Sequence, residues 1–455
     1  MVLLLVFTFT FPLACQPAQE TRSITKDQLL EDLRFLVEKV DNVHADPFRL
    51  ISKKDFQTTI QRLEEEIEQQ KQERFSLFES YYPLQKAAAL IQDEHTFIDF
   101  PLSRLDPEAT YFPHGIRVLG NHVYIEKNLI DSGIPEMSEL LEINGVPIEA
   151  IMDECWKYIH FPLPHAKNNY FGPFFFLFLN GPLFNMTSPW EIGYKTGAEV
   201  KSASSEGVSR DVLRQIFAAS GQYKKYSIKV NDNDENIPVL DVPSFAFGRF
   251  EDYRTFIDNF FTENLNEKAI IIDIRRNPGG NGTWGYYLMD HFNDKPYQIL
   301  ELFEFKVSDE FKRSGYASKA EGKAAGAKIG TYLPLPQKKF REQEFTGKKY
   351  EGQVYLLISH ATNSAGVVMA AIFKNAGMGT VIGQETAGRV KFSSDPVVMR
   401  LPNSKLNLVV PVAVYILPGD NPDRGVIPDI PIEYSIEDIK ISRDLEMEYL
   451  RQHIK

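Results

Sequence analysis

The stretch Ala269-Ile270-Ile271-Ile272-Asp273-Ile274-Arg275-Arg276-Asn277-Pro278-Gly279-Gly280 decides the fold class. Its β-branched opening reads as a strand buried on both faces, as in parallel sheets. The paired glycines that follow permit a tight turn and let backbone amides approach a common cleft. Working outward, residues 237–245 read as a strand, 251–265 and 283–292 as helices, 354–359 as a strand, 364–377 as a helix and 379–383 as a strand. Strands alternating with helices argue for a layered βα core over residues 236–435. Loops that follow strand C-termini are where such open sheets build their sites. The expected fold class is α/β, or α+β taken over the whole chain.

Upstream of this core the periodicity changes twice. Residues 26–108 read as a helical domain. Thr25-Lys26-Asp27-Gln28 starts a first helix, and Leu29, Leu30, Leu33, Leu36 and Val37 share one face of it. A second helix follows Lys54, and a third runs to about Gln92. From about Tyr111 a period of two takes over, with Gly120-Asn121 as a hairpin signal. A strand, an Asn144-Gly145 turn, a short strand and a helix come next. That order resembles the second half of PDZ-like domains, so residues 109–235 are expected to hold a small PDZ-like β module and a connecting region. Within them the apolar run 171–184 is expected to be buried or to line a substrate groove. Residues 436–455 read as a C-terminal helix.

At 455 residues, 43% hydrophobic and 25% charged, the chain can bury a large core and divide into two or three domains. A net charge of −12 without a long Lys/Arg block excludes the clustered cations that nucleic acid requires. Residues 1–14 form an apolar run too short to span a bilayer and of signal-peptide length. Leu13-Ala14-Cys15 resembles the lipobox of bacterial lipoproteins, which implies export and lipidation of Cys15, with residues 15–25 as a tether. Two or more acyl chains make such anchoring stable. The expected location is the bacterial cell envelope, anchored in the outer membrane and facing the periplasm or the cell surface. An ordinary cleaved secretory signal is the other reading. If Cys15 is lipidated, Cys155 has no partner for an intrachain disulfide.

Ser364 stands in His360-Ala361-Thr362-Asn363-Ser364-Ala365-Gly366, between a hydrophobic strand and a helix whose first amides lack intrahelical partners. A nucleophile there gains from the helix N-terminus, and the amide of Ala365 can point at an oxyanion. The same position also suits a serine that merely caps the helix. Histidine takes and returns a proton near neutrality. The candidates for that role are His95, in Asp93-Glu94-His95-Thr96, and His360, four residues before Ser364. No His-Glu-x-x-His or paired-cysteine pattern occurs, so no metal and no cofactor is implied.

The Asp273–Gly280 and Ser364 segments together resemble the serine peptidase family of C-terminal processing, tail-specific and tricorn-type peptidases. Its hallmark Asp-Leu-Arg-x-Asn-x-Gly-Gly appears with Ile274 in place of Leu. Its Gly-x-x-Thr-x-Gly signature appears as Gly383-Gln384-Glu385-Thr386-Ala387-Gly388, and Gly-Val-x-Pro-Asp as Gly425-Val426-Ile427-Pro428-Asp429. The resemblance implies hydrolysis of a peptide or protein substrate through an acyl-enzyme on Ser364, with the amides of Gly279, Gly280 and Ala365 as oxyanion hole. One branch of the family takes a lysine just after Gly-x-x-Thr-x-Gly as base. Arg389 stands there in this chain, and a guanidinium cannot accept the proton. The tricorn-like branch uses a histidine in Asp-x-His-Thr, which implies His95. Relatives place a glutamate just before Gly-Val-x-Pro-Asp. The nearest acid here is Asp423, with Glu94 and Glu385 as alternatives. Two other functions remain open on these residues: a surface peptide-binding lipoprotein with weak or lost catalysis, and a nonpeptide esterase using the same serine.

Overall fold

The computed structural model describes residues 23–101, 105–106, 108–215, 229–232, 237–246, 248–320, 322–334, 341, 344–419 and 423–454. Cys15 and the apolar run before it lie outside the described residues. No helix among those described is long and apolar enough to cross a membrane.

At the centre is a six-stranded sheet in the order Lys229–Asp232, Pro238–Asp241, Ala269–Asp273, Gln353–Ile358, Thr380–Gly383 and Ile430–Pro431. Its first pair is antiparallel and the rest are parallel. All five residues of Ala269–Asp273 are buried, as the β-branched run predicts. The alternation of the strand sends Ile270 and Ile272 into one apolar cluster and Ile271 into another. Helices Phe250–Glu263, Gly282–Met289 and Ala365–Asn375 cover the first face, and Met447 and Leu450 of the final helix cover the second. Burying each isoleucine contributes roughly 1.5–3 kcal/mol, so a polar residue at Ile271 would cost the sheet its C-terminal cover.

The loops after Asp273, Ile358 and Gly383 leave the same edge of three adjacent parallel strands. This is why three sequence motifs far apart in the chain meet in one place.

Two further large sheets and two two-stranded ones are present among the described residues. The β module orders its strands Glu199–Ser205, Trp190–Thr196, Glu139–Ile143, His122–Asn128 and His114–Leu119. Asn144 and Gly145 take φ of 49° and 76°, the left-handed pair that a two-residue hairpin turn requires. The run 171–184 lies mostly in a helix, Pro164–Asn180, whose apolar residues surround it on nearly every side. It docks on strand His114–Leu119 so closely that a Cβ on Gly172 would lie 2.6 Å from the Ile116 carbonyl oxygen. In the other sheet Lys391–Arg400 and Asn407–Ile416 form a long antiparallel hairpin, joined by Leu302–Lys306 and Tyr332–Pro334.

The N-terminal helices are Lys26–Asn42, Lys53–Glu68 and Leu77–Ala89. Thr25 and Gln28 exchange the two bonds of a capping box at the first. The third stops short of the expected Gln92, which takes φ of 52° and turns the chain. Five residues after Gln92, Phe97–Ile98 pairs with Leu408 and Val409, fastening the end of the helical domain to the C-terminal hairpin. In place of one C-terminal helix there are two, Ile436–Lys440 and Leu445–His453. The left-handed φ of 53° at Ser442 ends the first turn and Asp444 caps the second.

Candidate active site

Ser364 occupies the N-cap position of helix Ala365–Asn375 without acting as a cap. An ordinary N-cap serine has extended backbone and accepts an amide two or three residues on. Ser364 has φ 49° and ψ −118°, and its side chain makes no capping bond. A residue with a Cβ is held in this region only when its surroundings impose it, at a cost on the order of 1–3 kcal/mol.

The surroundings are the hallmark loop. Asn363 N–H donates to the Asn277 carbonyl at 2.9 Å, and Thr362 Oγ1 donates to the Ile274 carbonyl at 2.9 Å. Asn277, fully buried, donates through Nδ2 to the Val242 carbonyl and accepts the Gly279 amide on Oδ1 at 2.8 Å. Gly279 takes φ 107°, and a Cβ there would stand 2.6 Å from Ser364 Cβ and 2.9 Å from the Ala365 nitrogen. Glycine is therefore required by the approach of the two loops as well as by the backbone. We expect Gly279→Ala to lower kcat/KM by about 100-fold or more through displacement of the serine. Near-normal turnover in a folded Gly279→Ala protein would contradict this packing.

Of the three amides expected to face an oxyanion, that of Gly279 is engaged by Asn277 Oδ1. Those of Gly280 and Ala365 donate to no acceptor among the described residues. What separates them is the buried Asn277 side chain, which takes the Gly279 amide.

Hallmark residue Arg275 has a structural task. It is bonded to both oxygens of Asp273, to Asp444 at 2.8 Å and to Glu446 at 3.1 Å, tying the C-terminal helix to the loop. Arg276 pairs with Asp241.

The structure brings His95 to this edge from the helical domain. Asp93 Oδ1 accepts the His95 amide at 2.9 Å and the Thr96 hydroxyl at 3.1 Å, closing a local turn. His95 is 5% exposed and packs against the Phe392 ring, and its Nδ1 has no partner among the described residues. Its neighbour Glu94 pairs with Arg389, whose own neighbour Gly388 abuts the Asn363 side chain beside Ser364. No hydrogen bond joins His95 to Ser364 among the described residues.

Two buried histidines flank His95. Burial, followed by Lys306, pushes His44 down to about 3. Burial, followed by His95, does the same to His160, whose other ring nitrogen bonds the Glu94 backbone. Burial thus favours the neutral form of both rings.

His360, the rival base, is tied elsewhere. Its Nδ1 bonds the Glu385 carbonyl at 2.8 Å, and its ring stacks on His165 with centroids 4.2 Å apart. Burial, then the neighbouring His165, lower it to about 4. His165 was missed in the sequence because it lies at the start of the apolar helix, far from every motif; it reaches the Thr386 carbonyl at 2.9 Å. Asp423 pairs with Arg49, and its side chain is 69% exposed. Glu385 is engaged by Arg424 and by the Gly425 amide. Burial raises its pKa, but those bonds outweigh burial and hold it below the ordinary carboxylate value. Of the three acids considered, Glu94 alone is next to His95. A narrow cleft of about 20 Å³, lined by Phe161, Ala166, Asn169, Tyr170, Ala361, Asn363 and Ala387, opens beside the serine loop.

A serine forced into a left-handed turn at a parallel-strand edge, beside free amides and a buried histidine loop, defines the class of domain found in serine hydrolases. Residues 236–432 match the model of peptidase family S41. Over 199 residues the chain is 26% identical to the tail-specific protease of Haemophilus influenzae, covering 43% of this chain and 24% of that protein. The chain thus spans about a quarter of the length of that curated relative. Mature CPAF in complex with lactacystin superposes with a TM-score of 0.67 at 14% identity, covering 94% of this chain and 97% of that one. Mature CPAF alone gives 0.64 at 14% identity, over 94% and 96%. At such identities the likeness is one of fold, and it extends over the helical domain and the β module as well as the catalytic segment.

Proposed function

We propose that the protein is a serine-type peptidase that cleaves peptide bonds of a peptide or protein substrate through an acyl-enzyme on Ser364. The observation that carries this is the backbone of Ser364, held at φ 49° with a side chain that caps nothing. A structural N-cap has no need of that strain. His95, as neutral imidazole, takes the hydroxyl proton while Ser364 Oγ attacks the scissile carbonyl carbon. The amides of Gly280 and Ala365 receive the negative charge of the tetrahedral intermediate. The imidazolium returns the proton to the departing amine, and water, activated by the same imidazole, releases the acyl group. Incubating the purified protein with casein and with a library of quenched fluorescent peptides tests the reading. Turnover that disappears in Ser364→Ala supports it, and Ser364-independent turnover or none counts against it.

We further read the chain as an exported lipoprotein of the bacterial envelope, with a PDZ-like β module between its helical and catalytic parts. The apolar run ending in Leu13-Ala14-Cys15 supports export. The strand, Asn144-Gly145 turn, strand and helix over 139–155 support the module. Cys15→Ser is expected to release the protein from membranes and abolish incorporation of labelled palmitate. Equal labelling of the variant would overturn lipidation at Cys15.

A further inference from the structure

We infer that the buried Glu94–Arg389 pair is a positioning clamp that holds the His95 loop in register with the serine loop; the inference rests on the peptidase reading above. Glu94 and Arg389 are 295 positions apart and their side chains are 1% and 4% exposed. Glu94 Oε1 accepts both the backbone amide and Nε of Arg389 at 3.3 Å, and Arg389 Nη2 donates to the Gln92 carbonyl at 3.4 Å. One side chain thus grips two of the three residues before His95.

The other end of the grip reaches the nucleophile. Residue 388 touches the Asn363 side chain, where a Cβ would come within 2.6 Å of Oδ1, and the Ala387 amide donates to the Thr362 carbonyl at 2.9 Å. Asn363 precedes Ser364. Displacing the Arg389 backbone therefore moves the serine loop, and displacing its side chain moves the histidine loop.

A pair that served only to fasten two domains would be saturated by its own contacts. Here Glu94 Oε2, Arg389 Nη1 and His95 Nδ1 are all buried without a partner among the described residues. Buried polar atoms left in that condition call for a task beyond stapling. The stapling itself is already supplied close by, by the pairing of Phe97–Ile98 with Leu408 and Val409.

Glu94→Gln and Arg389→Lys, singly and together, test the clamp through kcat and KM of peptide hydrolysis. The lysine keeps the charge but lacks the fork that spans Glu94 and Gln92. Each single variant is expected to lose about 10- to 100-fold in kcat, the range of a small misplacement of a reacting group, with little change in KM. The double variant should lose no more than the worse single one, since the two act as a unit. Asp93 accepts the His95 amide, His44 and His160 are the buried groups that interact with its ring, and behind those two lie Lys306 and Lys167. A merely structural pair would lower the melting temperature and leave kcat of the folded variants unchanged.

Should Glu94→Gln fail to fold, Arg389→Lys, which leaves the buried charges balanced, decides the matter. Unchanged kcat in folded Arg389→Lys, or losses that multiply in the double variant, would overturn the clamp while Ser364-dependent turnover stood. Absence of Ser364-dependent turnover in the unaltered protein would overturn both readings.

Discussion

Ser364→Ala is expected to reduce peptide hydrolysis on the order of 10⁶-fold in kcat, leaving only what substrate binding and the free amides supply over water. The fold should survive, because the serine side chain makes no capping bond and the backbone bonds of Asn363 and Gly366 do not pass through it. Stability adds a second readout. Alanine inherits the strain of φ 49°, whereas glycine occupies that region freely, so Ser364→Gly should be equally dead yet melt above Ser364→Ala. A serine kept for structure would show the reverse: little loss of activity and no gain with glycine. Thermal melts and progress curves on the two variants separate these outcomes.

His95→Ala is expected to come close to Ser364→Ala in its loss, and the double variant should be no worse than either, because nucleophile and base act as one unit. Arg389→Ala should cost far less, since it acts only through position. Activity should rise with pH as imidazolium gives way to imidazole, the form that accepts the serine proton. His360 would give a different profile. Its pKa, lowered to about 4 by burial and then by His165, would place the acid limb near pH 4 and leave activity flat above it. An acid limb that vanishes in His95→Ala and persists in His360→Ala assigns the base. A near-normal His95→Ala beside a dead His360→Ala would transfer the role to the histidine nearer the nucleophile.

Much of the fold was legible because it is local. The Ala269–Asp273 strand, the Asn144-Gly145 turn and the Thr25–Gln28 capping box each declare themselves within a few residues. The long hairpin of Lys391–Arg400 and Asn407–Ile416 did not. Pro396 and Pro411 face each other in its middle, and proline argues against a strand when read alone. Helix Pro164–Asn180 hid for a different reason: buried nearly all round, and carrying Gly172-Pro173 in its middle, it has no polar face to reveal a period.

The candidate site divides along the same line. The motif around Ser364 and the hallmark glycines could be read from spacing. The partners of the candidate acids could not, since Asp423, Glu385 and Glu94 are engaged by Arg49, Arg424 and Arg389 across 374, 39 and 295 positions. The choice between the Gly279 and Gly280 amides likewise turned on one buried asparagine side chain, Asn277.

The central claim is that Ser364 is a nucleophile activated by His95. Treating the full-length protein at neutral pH with a fluorophosphonate, then mapping the adduct by peptide mass spectrometry, tests it in one step. The account predicts a single adduct on Ser364 that forms rapidly in the unaltered protein and far more slowly in folded His95→Ala. An unmodified Ser364, or an adduct that forms at the same rate without His95, would contradict it.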